Sequence, residues 1–318
     1  MYRPSKLNEV IGQEDIKKSL EVCIRASNKL NRPCPHMLFE GPSGLGKTTF
    51  AKILATETGK NVMEINGATI SEPSAVIKSL ITANDGDVIF IDEIHALPRK
   101  VAELLYMPLE DNKLLIPSPK SKKQDAGAVT IPLSRFCFIG ATTHIGLVPK
   151  PLVNRLKLQF NVDYYRDQDI EKILLLTASS NHIPITNSAA KNLSKRCKGI
   201  PRLANNYFEW VYNFAVGHDM SSISVDCVER ACALYGVDKR GLDRNDAKYI
   251  EALENASEPL GLNTIASIIN VPGETIEDQI EPFLMRIGMI EKTKRGRILK
   301  SEDTEFDAIK QALESISG

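Results

Sequence analysis

What the chain lacks narrows its class before any motif is read. Its 318 residues carry no excess of either charge, with Lys plus Arg and Asp plus Glu at 40 each. No global field therefore draws the chain to nucleic acid or to an anionic membrane, and any such contact must come from a local patch. The six cysteines (23, 34, 137, 197, 227, 232) form no C-x-x-C pair and no ladder of spacings, which argues against a disulfide framework or a zinc site. Cys137 lies in an apolar run, and the others read as reduced thiols of an intracellular protein. No apolar stretch is long enough to span a bilayer, and Met1-Tyr2-Arg3-Pro4 leads into polar sequence without a signal-peptide core. Internal repeats and low-complexity tails are missing too. The expectation is a soluble, cytoplasmic protein of two or three domains.

What is present begins with Gly41-Pro42-Ser43-Gly44-Leu45-Gly46-Lys47-Thr48. This stretch sits between a short apolar run, Met37–Phe39, and a helix opening at Thr48-Thr49-Phe50-Ala51 that Gly59 closes. Glycines let the backbone curl so that successive N–H groups face an anion, and a helix N-terminus adds partial positive charge. Lys47 then reaches the β- and γ-phosphates of a nucleoside triphosphate, and the Thr48 hydroxyl is placed to bind Mg²⁺.

The remaining pattern is strand alternating with helix as far as about residue 162. Tyr2–Gln13 reads as an extended lead-in with a turn at Gly12, followed by a helix over 14–30 with Ile16, Leu20, Cys23 and Ile24 on one face. Strands are expected at 61–65, 87–92, 135–140 and 158–162, with a helix near 74–83. Asp87-Val-Ile-Phe-Ile-Asp92-Glu93 reads as a buried parallel strand whose acids emerge at its carboxyl end, where open α/β sheets bind ligands. A doubly wound α/β domain follows from this alternation. Two β-prone runs, 113–116 and 128–131, flank a Pro/Gly/Lys loop and suggest a projecting hairpin, either sheet edge folded back on the body or a docking finger.

From Asp167 the pattern is helical: 169–180, 187–197, 200–215 and 225–234, with breaks at Gly199, Gly217 and Gly236. Helices at 243–255, 262–269 and 275–286 come next, the last two joined by a tight turn at Asn270-Val-Pro-Gly273. Met289-Ile290 and Ile298-Leu299 then pair as a ribbon across Lys294-Arg295-Gly296-Arg297. Helix-turn-helix plus basic ribbon is the layout of a winged helix. Residues 291–300 hold five basic groups and one acid, a local charge of +4, which is either a DNA-contacting patch or a solvated basic turn.

Phosphoryl transfer to water requires three groups that this pattern supplies. Asp92 is the expected metal carboxylate beside Thr48, acting either directly on the ion or from just outside its ligands. Glu93 is the candidate base for the attacking water, and Thr143, at the tip of a neighbouring strand, is the candidate donor to the γ-phosphate or the water. His95 and His144 fall nearby, where each either tunes the site or is simply satisfied.

The motifs Gly41–Thr48, Ile91-Asp-Glu-Ile-His95, Gly140-Ala-Thr-Thr143, Pro151-Leu-Val-Asn-Arg155, Gly199-Ile-Pro-Arg202-Leu-Ala-Asn205 and Lys294-Arg-Gly-Arg297 resemble, in order and spacing, those of the RuvB family of AAA+ motors for Holliday-junction branch migration. The resemblance runs almost end to end. It implies an AAA+ core (residues 1–162), an all-α lid (163–238) and a C-terminal winged helix (239–318). It further implies a homo-hexameric ring on branched double-stranded DNA that hydrolyses ATP with Mg²⁺ between subunits.

By similarity, Arg155 would be the arginine finger reaching the neighbour's γ-phosphate. Arg202, beside Pro201, would be the lid's sensor arginine. Tyr2–Gln13, with Arg3, Val10 and Ile11, would line the adenine pocket together with Tyr165. The hairpin at about 112–132 would dock a RuvA-like junction-binding protein, and Arg295, Gly296 and Arg297 would meet the DNA backbone.

The chain departs from the family pattern where Gly-Ala-Thr-Thr-Arg and Pro-Leu-Arg-x-Arg-Phe-Gly are usual: His144 and Val153 replace arginines, and Leu156-Lys157 replaces Phe-Gly. Two other classes stay open at this point. One is an AAA+ initiator or clamp-loader ATPase that switches without translocating; the other is a nucleotide-gated binding module with little turnover.

Overall fold

The computed structural model describes residues 2–117 and 128–300; the loop expected between the hairpin strands lies outside them. The chain divides into two compact units, Tyr2–Tyr165 and the segment from Arg166 onward. Among the described residues no helix is long and apolar enough to cross a membrane.

The central strands of the first unit are buried and read in the sequence as apolar runs. Its strands in chain order are β1 (Met37–Glu40), β2 (Val62–Asn66), β3 (Val88–Asp92), β4 (Lys113–Pro117), β5 (Ala128–Pro132), β6 (Cys137–Thr142) and β7 (Leu158–Asn161). Five of them form one parallel sheet in the order β2-β3-β6-β1-β7. Every residue of β6 is buried, as are the first four of β3, whereas the edge strands β2 and β7 are half-exposed. Burial on both faces is what helices on either side of a parallel sheet impose. The order also sets β6 between β1 and β3, so the carboxyl ends of these three strands lie side by side.

Helix α1 (Glu14–Leu30) buries Ile16, Leu20 and Ile24, while Cys23, expected on the same face, stays half-exposed. Helix α2 (Lys47–Glu57) is fastened to the sheet by aromatic rings. Phe50 stacks on Phe39 of β1 at 5.6 Å, and Phe39 stacks on Phe160 of β7 at 5.2 Å. Each buried ring contributes about 1.5–3 kcal/mol, which holds the loop joining β1 to α2 against a rigid base. After α3 (Ser74–Thr82) the sequence gives no helical signal, yet α4 (Arg99–Leu104) and α5 (Tyr106–Asp111) form there. Six residues are too few for a readable period, and Pro108 further masks α5. A short α6 (Lys150–Val153) precedes β7.

Two expectations need correction here. The lead-in is not wholly extended: Leu7–Glu9 close a 3₁₀ turn, with Leu7 and Val10 buried and the Glu9 carboxylate accepting from the backbone N–H groups of Ser5 and Lys6. Nor is the hairpin an edge of the main sheet. Strands β4 and β5 pair antiparallel as a separate two-stranded ribbon. Leu114, Ile116 and Ile131 pin its base to the main core, and Leu115 and Val129 are exposed.

The second unit begins with α7 (Asp167–Ser180), α8 (Asn187–Ser194), α9 (Pro201–Gly217) and α10 (Val225–Tyr235). Helix α9 runs through Ala215, where its end was expected, to Gly217. A winged helix follows, with α11 (Arg244–Glu254), α12 (Leu262–Ile269), a helical run from Gly273 to Arg286, and the ribbon β8 (Ile290–Thr293) with β9 (Gly296–Leu299). Within the last helical run, Ile276–Ile280 is a π-turn. Pro282 lies just beyond it and offers no N–H, so the normal ladder cannot continue through that turn. The helical bundle and the winged helix are joined by Lys198, whose buried ammonium meets Asp243 and Asp246, and by Arg286, which donates to the Lys198 carbonyl at 2.6 Å.

Candidate nucleotide site and basic ribbon

The loop from Gly41 to Gly46 takes a backbone path that only glycine follows without strain. Gly41, Gly44 and Gly46 all have positive φ (143°, 84° and 103°), and a Cβ at Gly41 would collide with the Val162 carbonyl. Leu45 is fully buried and anchors the loop; Pro42 is half-buried and Ser43 exposed. Gly46 then caps α2, so the N–H groups of Lys47, Thr48 and Thr49 point out of the helix with no intrahelical acceptor. Lys47, only 6% exposed, donates from its ammonium to the carbonyls of Gly41 at 2.6 Å and Pro42 at 2.9 Å. A buried cation inside a ring of glycine-supported backbone is an anion cradle.

Side by side at the neighbouring strand ends stand the acids and hydroxyls expected there. Thr48 Oγ1 donates to Asp92 Oδ2 at 3.2 Å, bringing a hydroxyl and a carboxylate of the hard oxygen type that suits Mg²⁺ to one place. Asp92 Oδ1 accepts from the Glu93 N–H. Glu93 itself sits at φ 48°, a left-handed turn that swings its side chain away from Asp92 and toward β6. There its Oε2 accepts from the Thr143 N–H at 3.3 Å and the Thr143 hydroxyl at 3.1 Å, with His95 Nδ1 at 3.3 Å.

A carboxylate only accepts, so the single Thr143 proton goes to Glu93. His144 Nδ1, 2.8 Å from the same hydroxyl oxygen, must then be the donor to it. Thr142 Oγ1 accepts from the His144 N–H and lies 3.0 Å from His95 Nδ1. Both histidines thus belong to the polar ring around Glu93, their own rings 5.1 Å apart.

The other expected residues fall in four places. The Tyr165 hydroxyl donates to the Leu45 carbonyl at 3.2 Å, which brings it onto the phosphate loop. In the lead-in, Val10 is buried, Ile11 half-buried and Arg3 exposed, and the turn is tied to α2 by the Leu7 N–H on Glu57. Arg155 is held within its own unit by Glu110, Pro151 and Tyr106. Pro201 and Arg202 belong to the second unit, where Pro201 opens α9 and Arg202 is exposed on its first turn. Of the positions that depart from the family pattern, Val153 and Leu156 pack on the main core.

The basic ribbon is less uniform than its charge count. Arg297 donates to Glu281 at 2.8 Å and to Glu277 at 3.0 Å, and Lys292 pairs with Glu281 at 2.6 Å. Glu281 is wholly buried and also accepts from the Tyr249 hydroxyl at 2.9 Å. Burial raises the Glu281 carboxyl, but its bonds from Arg297, Lys292 and Tyr249 outweigh that and leave it below its ordinary value. Arg297, expected to meet the DNA backbone, thus pairs with the helical run beneath the ribbon. Gly296 has φ 148°, and a Cβ there would meet the Leu260 backbone, so its glycine serves the fold. Lys294, Arg295 and Lys300 remain exposed at the ribbon's rim.

Glu110, Tyr106, Glu277 and Glu281 carry no motif and went unread. The i, i+4 spacing of Tyr106 and Glu110 is the one signal that pointed to a shared helix face.

The chain matches the P-loop domain of the Holliday junction DNA helicase RuvB over residues 2–162, the RuvB AAA lid domain over 165–238 and the RuvB C-terminal winged helix domain over 239–306. It is 40% identical over 299 residues to the Holliday junction branch migration complex subunit RuvB of Limosilactobacillus reuteri, covering 93% of this chain and 88% of that protein. To the corresponding subunit of Campylobacter fetus it is 39% identical over 298 residues, with 93% and 86% covered. Among solved structures, the Thermotoga maritima RuvB Holliday junction branch migration motor superposes with a TM-score of 0.84 at 32% identity, over 97% of this chain and 98% of that one. A mutant of the same protein gives 0.87 at 32% identity, over 97% and 99%.

Proposed function

The chain belongs to the RuvB family, and on that premise we propose that it is an ATP-driven motor moving Holliday junctions along duplex DNA. The observation that carries the reading is the convergence of Lys47, Thr48, Asp92, Glu93 and Thr143 at three adjacent strand ends, with a winged helix on the same chain. Matches to RuvB's own P-loop, lid and winged-helix domains favour the motor over an initiator or clamp loader.

In the hydrolysis step the water oxygen forms a bond to the γ-phosphorus, the bond to the β-phosphate oxygen breaks, and Glu93 takes the water's proton. Lys47 and the first N–H groups of α2 meet the charge on the phosphates, and Thr143 orients Glu93. Thr48 and Asp92 are the residues that would hold Mg²⁺, whose role when bound is to neutralise phosphate charge. Arg155 of the neighbouring subunit completes the site in a hexameric ring, a contribution of about 10³–10⁵ in related enzymes. Arg202 links γ-phosphate to lid angle, and Tyr165 with Val10 and Ile11 receives the adenine.

Arg295, with Lys294, contacts the DNA backbone, as suits a motor that must step on any sequence. The ribbon of β4 and β5, exposing Leu115 and Val129, docks a RuvA-like partner. A DNA substrate and free thiols both suit the cytoplasm.

The test is a synthetic four-way junction incubated with Mg-ATP, with and without the junction-binding partner. Strand exchange that needs hydrolysable ATP is expected. ATP turnover without any branch movement in the partner's presence would reject translocation and leave only a DNA-bound switch.

A further inference from the structure

The guanidinium of Arg155 is gripped from three directions inside its own unit. Nη2 pairs with Glu110 Oε2 at 2.9 Å, Nη1 donates to the Pro151 carbonyl at 2.7 Å, and the group lies 4.9 Å over the Tyr106 ring. Its Nε is buried and has no acceptor among the described residues. Glu110 and Tyr106 lie one turn apart on α5, on a single face. That helix ends at Asn112, left-handed at φ 51°, and the Asn112 carbonyl accepts from the Leu133 N–H at 2.8 Å to close the base of the β4–β5 ribbon. The posture of Arg155 is thus set by the helix that carries the ribbon.

The magnitudes decide what this grip is for. The Arg155 and Glu110 side chains are 28% and 58% exposed, so the pair adds roughly 0–1 kcal/mol to folding. Orientation is another matter, because a free arginine side chain carries about 2 kcal/mol of rotamer entropy that must be surrendered before it can meet a phosphate. Two N–H groups already committed fix the plane of the fork.

We propose that Glu110 and Tyr106 are positioning residues for Arg155, preorganising it for the triphosphate of the adjacent subunit. This rests on the reading above that Arg155 acts in the neighbour's site. The test is steady-state ATP hydrolysis by the assembled full chain with junction DNA. Glu110→Ala lowers kcat about tenfold with KM for ATP within about twofold, Tyr106→Ala lowers it less, and Glu110→Gln, which keeps an oxygen acceptor, recovers part of the loss.

Mixed assemblies separate positioning from misfolding. A Glu110→Ala subunit keeps its own base but offers a loose finger, whereas a Glu93→Gln subunit offers a sound finger to its neighbour. Mixing the two should raise hydrolysis above the sum of the separate preparations, as it should for Arg155→Ala with Glu93→Gln. Wild-type kcat in Glu110→Ala overturns the proposal. So does a slow Glu110→Ala that Glu93→Gln subunits fail to rescue while they do rescue Arg155→Ala. If Arg155→Ala itself is not rescued, the reading of Arg155 as acting between subunits is what fails, and the proposal falls with it.

Discussion

The nucleotide end of the first unit and the ribbon of the second both gather charge, but they spend it differently. At the nucleotide end the charged and hydroxyl groups ride on the tips of β3 and β6 and on the first turn of α2, beside strands whose burial leaves them no freedom to drift. Their partners come from those same tips: Thr48 with Asp92, Glu93 with Thr143 and His95. In the ribbon, by contrast, Arg297 and Lys292 are neutralised from below by Glu277 and Glu281, 11 to 20 residues upstream. A run of basic residues is therefore a poor measure of the charge a surface presents, whereas a phosphate loop and the strand ends beside it form one site by construction.

That contrast is broken or sharpened by substitutions at each end. The largest effect belongs to Lys47→Ala. Removing an ammonium that offers charge-assisted hydrogen bonds of about 1.5–3 kcal/mol each to phosphate weakens ATP binding by about 10²–10⁴-fold, read by fluorescent-nucleotide titration. Next comes Glu281→Ala, which strips Arg297, Lys292 and Tyr249 of their shared acceptor. It destabilises the winged helix by about 3 kcal/mol, seen as a lower Tm, while nucleotide affinity stays unchanged.

A smaller effect separates the two ribbon arginines. Arg295→Ala weakens DNA binding and reduces the salt slope by about 1 without shifting Tm, whereas Arg297→Ala lowers Tm first. Equal salt slopes for the two variants would show that both face DNA and would erase the contrast.

The smallest effect is on acid stability. The Glu281 carboxyl lies below its ordinary 4.5 in the folded state, so its contribution is fully present above pH 4.5 and is lost as pH falls further. Glu281→Gln should flatten the fall in Tm below that pH, and an unchanged slope would deny the carboxylate its buried role.

Much of this was legible in the sequence, for reasons particular to each element. Val88–Asp92 and Cys137–Thr142 announce themselves because full burial demands unbroken apolar runs, and the acids that end such a run must emerge at the ligand edge. The phosphate loop is readable because its glycines answer to backbone geometry within eight residues. Helices α4 and α5 were not legible: each is a turn and a half, held by the core contacts of Val101, Leu105 and Leu109 and not by a period of its own. Glu281 was invisible for a further reason. Its partners come from α11 and from the ribbon, so only the tertiary fold reveals that a glutamate in a helical run is the acceptor for a supposed DNA contact.

The central claim is that the groups at the three strand tips form a hydrolytic site with Glu93 as its base. Its most direct test compares ATP affinity with single-turnover hydrolysis in wild type and Glu93→Gln, with Mg²⁺ and DNA present. The account predicts affinity within about threefold of wild type and hydrolysis slower by about 10²–10⁴-fold. Hydrolysis by Glu93→Gln at the wild-type rate, with binding intact, would contradict it.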